Sequence, residues 1–471
     1  MRLWGGRFEG SPDEKAAEFG RSIDFDQILA VDDIAGSIAH VHGLGRAGLI
    51  APDEVETLVR GLEALRAEVD AGKLEWNPDL EDVHMNLEVA LRERIGPLAG
   101  KVHTGRSRND QIATDIRLWL RRTLDALDGS IVEMEKALVG VADREIETVL
   151  PGMTHIQPAQ PVLLAHHLLA YVEMLERDRG RLADCRKRAN ICPLGSGALA
   201  GAGYPLDREA TAKELGFDGV TANSLDGVSD RDFVVEALAA FALCMVHLSR
   251  LAEEIVWWSN PRFGFVSAAD AYSTGSSMMP NKKNPDPAEL VRGKAARVIG
   301  SLTGMLALMK GLPLAYQKDM QEDKPPLFEA AATLEASLAI MAGMVSTLTF
   351  NRDAMRAAAW EGHTTATAVA DALVRRGVAF RSAHHIVGRL VAEADRDALS
   401  LDALEDTTIA ATLAASDDSV ALSLVGDAAV PAELRHAAAL EGAMASCDVI
   451  GGTAPRRVTA ALAAAKARLG L

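Results

Sequence analysis

Between Gln111 and Leu150 apolar residues return at steps of three and four: Ile112, Ile116, Leu120, Leu124, Leu127, Ile131, Met134, Leu138 and Val141. That spacing lines one face of a helix, and Pro151-Gly152 stops it. Read as one helix, roughly 40 residues rising 1.5 Å each span about 60 Å. A compact single domain is narrower than that. Such a helix must bury its stripe against other helices along its whole length. Two more segments read the same way, from Pro161 to Ala189 (Leu168, Val172, Leu175 and Leu182 inward) and from Arg231 to Trp258. No hairpin dipeptide separates alternating runs, so strands should be scarce. The expected fold is all-α, an elongated bundle with apolar faces left over for oligomerisation.

Composition narrows what such a bundle can do. The chain has 471 residues, 48% hydrophobic and 24% charged, which is ordinary for a globular protein with a large core. A net charge of −17 excludes nucleic acid as the expected partner, because phosphate binding needs a basic surface. Cys185, Cys192, Cys244 and Cys447 are scattered without zinc spacing and read as reduced thiols of a cytoplasmic protein. Met1 to Arg7 contains no apolar run, so no signal peptide is read there. The uncharged run from Ala336 to Asn351 is too short and too rich in Ser and Thr to span a membrane.

Several stretches carry polar or special backbone chemistry. Trp4-Gly5-Gly6-Arg7-Phe8 reads as an extended or looped opening. His84 and Glu88, four apart on a predicted helix, read as a surface pair. Lys101 to Asp110 (Lys-Val-His-Thr-Gly-Arg-Ser-Arg-Asn-Asp) opens the long helix, with Asn109 or Asp110 as the cap. Its arginine forks at a helix N-terminus suit a carboxylate. Thr154-His155-Ile156-Gln157 lies in a proline-bounded segment kept out of helix. Gly275 to Asp286 (Gly-Ser-Ser-Met-Met-Pro-Asn-Lys-Lys-Asn-Pro-Asp) concentrates serines, lysines and amides in a loop between helices. The charged run Gln317 to Lys324 reads as a solvated helix start. Gly195-Ser196-Gly197 follows a helix rather than a strand, which excludes a dinucleotide fingerprint and leaves tight turns and close backbone approach. His166 and His167 read as packing or interface residues.

Gly275-Ser276-Ser277 with Met279-Pro280, Lys282, Asn284 and Pro285 resembles the signature of the fumarase/aspartase lyase superfamily. With Lys282-Lys283-Asn284-Pro285-Asp286, the His103 to Asp110 run and the Thr154 to Pro161 segment, the chain is similar to the argininosuccinate lyases in particular. The resemblance extends from Trp4 to Gly451-Gly452-Thr453-Ala454-Pro455. One departure is Ala368, where relatives commonly carry an acidic residue; an effect on packing alone is expected. The resemblance implies an all-α homotetramer with a central bundle of long helices and active sites shared between subunits. It implies three domains, 1–107, 108–359 and 360–471. The implied reaction is the reversible cleavage of argininosuccinate to L-arginine and fumarate, the last step of arginine biosynthesis, without metal or cofactor. Ser276 matches the proton-abstracting base and His155 the group serving the leaving nitrogen, although the two roles are open to exchange. Glu289 matches the carboxylate that orients the histidine, and Lys282 the cation beside the serine. Implied substrate contacts are Ser22, Arg108, Asn109, Thr154, Asn284, Tyr316, Gln321 and Lys324. The alternatives are another fumarate-releasing lyase of the superfamily or a structural scaffold of the delta-crystallin kind. Nucleic acid and membrane are not expected partners.

Overall fold

The computed structural model describes residues 13–471, so Trp4 to Phe8 lies outside the described residues. Thirteen of its elements bear on function. They are α1 (Ala30–Arg46), α2 (Pro52–Asp70), α3 (Val83–Ile95), α4 (Arg108–Arg144), β1 (Val149–Thr154), β2 (Gln157–Leu163), α5 (Leu164–Ala189), α6 (Asp232–Ser259), β3 (Thr274–Gly275), β4 (Lys283–Asn284), α7 (Asp286–Met309), α8 (Lys324–Thr347) and α9 (Arg352–Trp360). The all-α class is therefore as expected, and α4 to α8 are its long helices. The chain forms two compact units. One comprises 1–129, 178–245 and 294–336; the other comprises 130–177, 246–293 and 337–471.

The stripe on α4 is real: each of its nine apolar residues is buried. The helix ends at Arg144, not at Leu150. Thr148, Val149 and Leu150 are β-branched or bulky, and they pair instead: Val149 lies opposite Leu163 and Leu150 opposite Val162 in an antiparallel hairpin. Strands are few, as expected, and this hairpin is the longest pair among the described residues. Its turn is His155-Ile156, with φ of 54° and 62°. Two central residues in the left-handed region make the tight turn of twisted strands, a role normally signalled by Asn-Gly. Sequence pattern could not find it because neither residue is a turn former.

Each unit has its own apolar core. In the first, Ile23, Ile34, Val41, Leu44, Leu58 and Leu91 are among the residues that pack α1, α2 and α3 together. In the second, Val369 to Ala438 form a separate cluster around Leu373, Ile386 and Leu390. Ala368 is buried beside it, consistent with a packing position. The run from Ala336 into Thr347 belongs to α8, which with α6 is long and apolar enough to cross a membrane. More than half of each such stretch is buried within the chain, the behaviour of a core helix. Apolar surface remains on α7, where Leu290, Ile299 and Leu306 are exposed.

Candidate active site

The residues singled out from sequence fall into two groups, one in each unit. In the first unit they gather around Glu81-Asp82, at the start of α3. The Ser22 and Ile23 amides donate to the Glu81 carbonyl at 2.8 and 3.1 Å. Ser22 is buried, and its hydroxyl donates to Asp26 Oδ2 at 2.6 Å. The other Asp26 oxygen accepts from the Val83 amide at 3.0 Å. Asp82 caps α3 by accepting from the Met85 amide at 2.7 Å. Its second oxygen accepts from Arg108 Nη1 at 2.8 Å. Glu81 has φ of 56°, and backbone held in that region by its surroundings is commonest at functional sites.

Arg108 is the first residue of α4, yet neither Asn109 nor Asp110 is its cap. Ser107 takes that place: its Oγ accepts from the Asn109 amide at 3.2 Å, and its own amide donates to Asp110 Oδ1 at 2.9 Å. Asp110 is three positions on, as a capping box requires. Its Oδ2 accepts from the Gly195 and Gly197 amides at 3.0 and 2.8 Å. The glycines permit that approach, with φ of 91° and 61°; a Cβ on Gly197 would lie 3.1 Å from the Gly201 carbonyl oxygen. Asn109 Nδ2 donates to the Ala198 carbonyl at 3.0 Å, which ties the same connector to the loop.

The run from Lys318 is a 3₁₀ turn to Asp323 leading into α8, and only Lys318, Asp319 and Glu322 of it are exposed. Gln321, Asp323 and Lys324 are buried. Lys324 Nζ donates to Asp323 Oδ1 at 2.8 Å and to the Met320 carbonyl at 3.3 Å. Asp323 Oδ2 accepts from the buried Arg231 Nε. Burial pushes the Asp323 carboxyl up, but the two cations outweigh it and hold it below the usual range. Tyr316 is half-buried, and burial with the neighbouring Asp323 charge pushes its phenol up to about 12. It stays a neutral donor at physiological pH. Sequence reasoning missed Asp323 and Arg231 as partners because the charge run looked like an exposed helix face.

His84 also differs from expectation. It is buried, not a surface residue, and its Nδ1 bonds Asp33 Oδ2. The only sequence signal was its spacing to Glu88, which cannot report a partner 51 positions away.

In the second unit, Thr154 ends β1 opposite Gln157, and His155 follows in the strained turn; both are exposed. The Gly275–Asp286 stretch is a hairpin rather than an irregular loop. Thr274 pairs with Asn284 and Gly275 with Lys283. One step further, Ser276 and Lys282 stand at the neck. Ser276 Oγ accepts from the Met278 and Met279 amides at 3.2 and 3.0 Å. Two N–H dipoles on one oxygen favour its anionic form. Asp286 receives the Thr274 hydroxyl, and Lys283 Nζ binds Asp270 Oδ1 at 2.7 Å. Lys282 remains exposed, and Glu289 is exposed in the first turn of α7. His166 is half-buried, while His167 bonds Glu254 at 2.6 Å and packs on Tyr171 and Trp258, as packing residues do. All four cysteines are free, as expected of reduced thiols.

Comparison with known proteins follows the same lines. Residues 6–300 match a family described as lyase, and residues 363–430 match the argininosuccinate lyase C-terminal family. Argininosuccinate lyase of Halorhodospira halophila is 51% identical over all of this chain and 98% of its own. That of Heliobacterium mobile is 50% identical over 99% of both chains. Among solved structures, EDDS lyase in complex with formate is 30% identical with a TM-score of 0.82, covering 98% of this chain and 93% of its own. Class II fumarase of Schistosoma mansoni, 16% identical over 83% of this chain and 91% of its own, shares the fold with a TM-score of 0.70. Full-length identity at this level, carried by a chain whose loops hold the lyase motifs intact, means that this protein belongs to the argininosuccinate lyase family of carbon–nitrogen lyases.

Proposed function

We propose that this chain cleaves argininosuccinate reversibly to L-arginine and fumarate, as the last step of arginine biosynthesis in the cytoplasm. The observation that carries the reading is the Ser276 hydroxyl under two backbone amides at the neck of the hairpin. A serine is a weak base in water, and this environment, with Lys282 opposite, favours the alkoxide. Ser276 takes the proton from the carbon next to the fumarate-to-be carboxylate. Electrons then close the new double bond and expel the guanidino nitrogen, to which His155 returns a proton. Glu289 orients the imidazole. Thr154 and Asn284 flank these groups in sequence and bind the succinyl part. Arg108 and Asn109 receive a carboxylate. Ser22, Tyr316, Gln321 and Lys324 hold the arginine part, where neutral and charged donors discriminate by hydrogen bonding.

His155 lies in the turn after β1 and Glu289 in the first turn of α7. Both are exposed, as are Leu290, Ile299 and Leu306 on α7. These features support a homotetramer that completes each site with segments of several subunits. The separate cores of Ile23 to Val102 and Val369 to Ala438 support a three-domain division at about 107 and 360. The test is fumarate release from argininosuccinate by the wild type and by Ser276→Ala. The variant should lose about a thousandfold in kcat, and undiminished activity would move the base elsewhere.

A further inference from the structure

Beneath the Arg108 loop lies a buried cluster that the reaction as described does not use. Asp33, His84, Gln111 and Asp115 are all nearly inaccessible. Asp33 is the hub. His84 Nδ1 and Gln111 Nε2, the latter at 2.8 Å, both bond its Oδ2. Ser37 Oγ donates to its Oδ1 at 3.1 Å and accepts from Arg106 Nη1 at 2.8 Å. Asp115 Oδ2 stands 3.8 Å from His84 Nδ1.

Every tether from Asp33 leads to a neighbour of Arg108. Arg106 is two residues before it and Gln111 three after it. His84 is two residues beyond Asp82, the carboxylate that grips Arg108. Three independent attachments thus converge on one guanidinium. We propose that Asp33 and His84 are positioning residues: their buried ion pair fixes the start of α3 and the 103–109 loop so that Arg108 is held ready for the substrate carboxylate. The proposal rests on the reading of Arg108 as a carboxylate partner.

The charges agree with this arrangement. Burial disfavours ionisation of both partners, but each outweighs it for the other: Asp33 is held below the usual carboxylate range and His84 above the usual imidazole range. Asp115 differs. Burial, then the Asp33 charge, push its carboxyl well up, so it is a neutral acid beside the pair. Three of these side chains could ligate a metal ion by proximity, and His84 Nε2, Gln111 Oε1 and Asp115 Oδ2 have no hydrogen-bond partner among the described residues. Yet with Asp115 neutral, the one carboxylate charge, on Asp33, is already offset by His84 and Arg106. A divalent cation would add charge that nothing offsets.

The test compares Asp33→Asn, His84→Asn and Asp115→Asn in the full-length enzyme. Steady-state kinetics with argininosuccinate are read beside thermal unfolding and bound-metal analysis. Asp33→Asn and His84→Asn should raise KM about tenfold while kcat falls less than about threefold. Asp115→Asn replaces a neutral acid by its isostere and should keep both within about twofold. Should Asp33→Asn fail to fold, His84→Asn decides, because its amide still donates to Asp33 without carrying charge. A wild-type KM in either folded variant overturns the proposal. So does an equal loss in all three variants with a stoichiometric metal in the wild type, which makes the cluster a metal centre. A wild type that releases no fumarate from argininosuccinate rejects the substrate reading itself, a different failure from either.

Discussion

His40 shows how one buried side chain couples stability to pH. It is buried on α1, with Nε2 bonded to the Thr104 carbonyl at 2.8 Å. Burial, then the nearby Arg106 charge, push its imidazole from 6.5 down to about 3. The native state therefore refuses a proton that the unfolded chain accepts below pH 6.5. Stability must rise with pH between about 3 and 6.5, by about 1.4 kcal/mol per unit for one proton. In His40→Gln the hydrogen-bond donor remains and the titration does not. Unfolding free energies measured from pH 4 to 6 should show a slope shallower by about that amount. An unchanged slope would mean that His40 takes its proton in the folded state too. None of this is legible in the sequence, where His40 is one histidine of twelve. Its environment is made by a residue 64 positions away.

At the scale of elements, the two hairpins present His155 and Ser276, and each stores a constraint. Ile156 is β-branched at φ 62°, a conformation that costs an L-residue about 1–2 kcal/mol. Its side chain is 56% exposed, so little burial is lost on replacement. Ile156→Gly should therefore stabilise the protein by about 1 kcal/mol in thermal unfolding. It should also lower kcat, because the turn that presents His155 becomes loose. The Ser276 hairpin is rooted differently. Tyr272, two residues before β3, packs on Gly343 of α8, where an added Cβ would overlap the phenol oxygen and approach Cζ to 2.7 Å. Gly343→Ala should cost about 1–3 kcal/mol in denaturant unfolding and reduce fumarate release by displacing the hairpin's base. Full activity and stability together would show that the ring simply turns aside.

For the whole molecule, the question is which chain supplies which group. The α4 stripe that first suggested partners is fully buried within one chain, so that argument for oligomerisation did not survive in its original place. The apolar surface that does remain is on α7, where Ile299 and Leu306 are seven residues apart on one face. If the chain forms tetramers with shared sites, as proposed, tetramers mixed from Ser276→Ala and His155→Asn chains should recover measurable activity, though each variant alone has almost none. Some mixed sites then carry neither substitution. Mixed tetramers as inactive as the parents would place Ser276 and His155 of each site on one chain.

The sequence by itself determined the helical class, the long central helices and the motifs on which the proposed site rests. Periodicity reports one buried face, and Gly-Ser-Ser, Thr-His and Arg-Ser-Arg-Asn are contiguous runs that need no fold to be read. Tertiary structure decided the rest. Val149 to Leu163 became a hairpin because cross-strand partners outweighed a helical pattern that ran on through Leu150. Lys324 and His84 went inside because Asp323 and Asp33 were there to meet their charges. A charged residue is solvated or buried according to its partner, and a partner tens of positions away leaves no trace in local sequence.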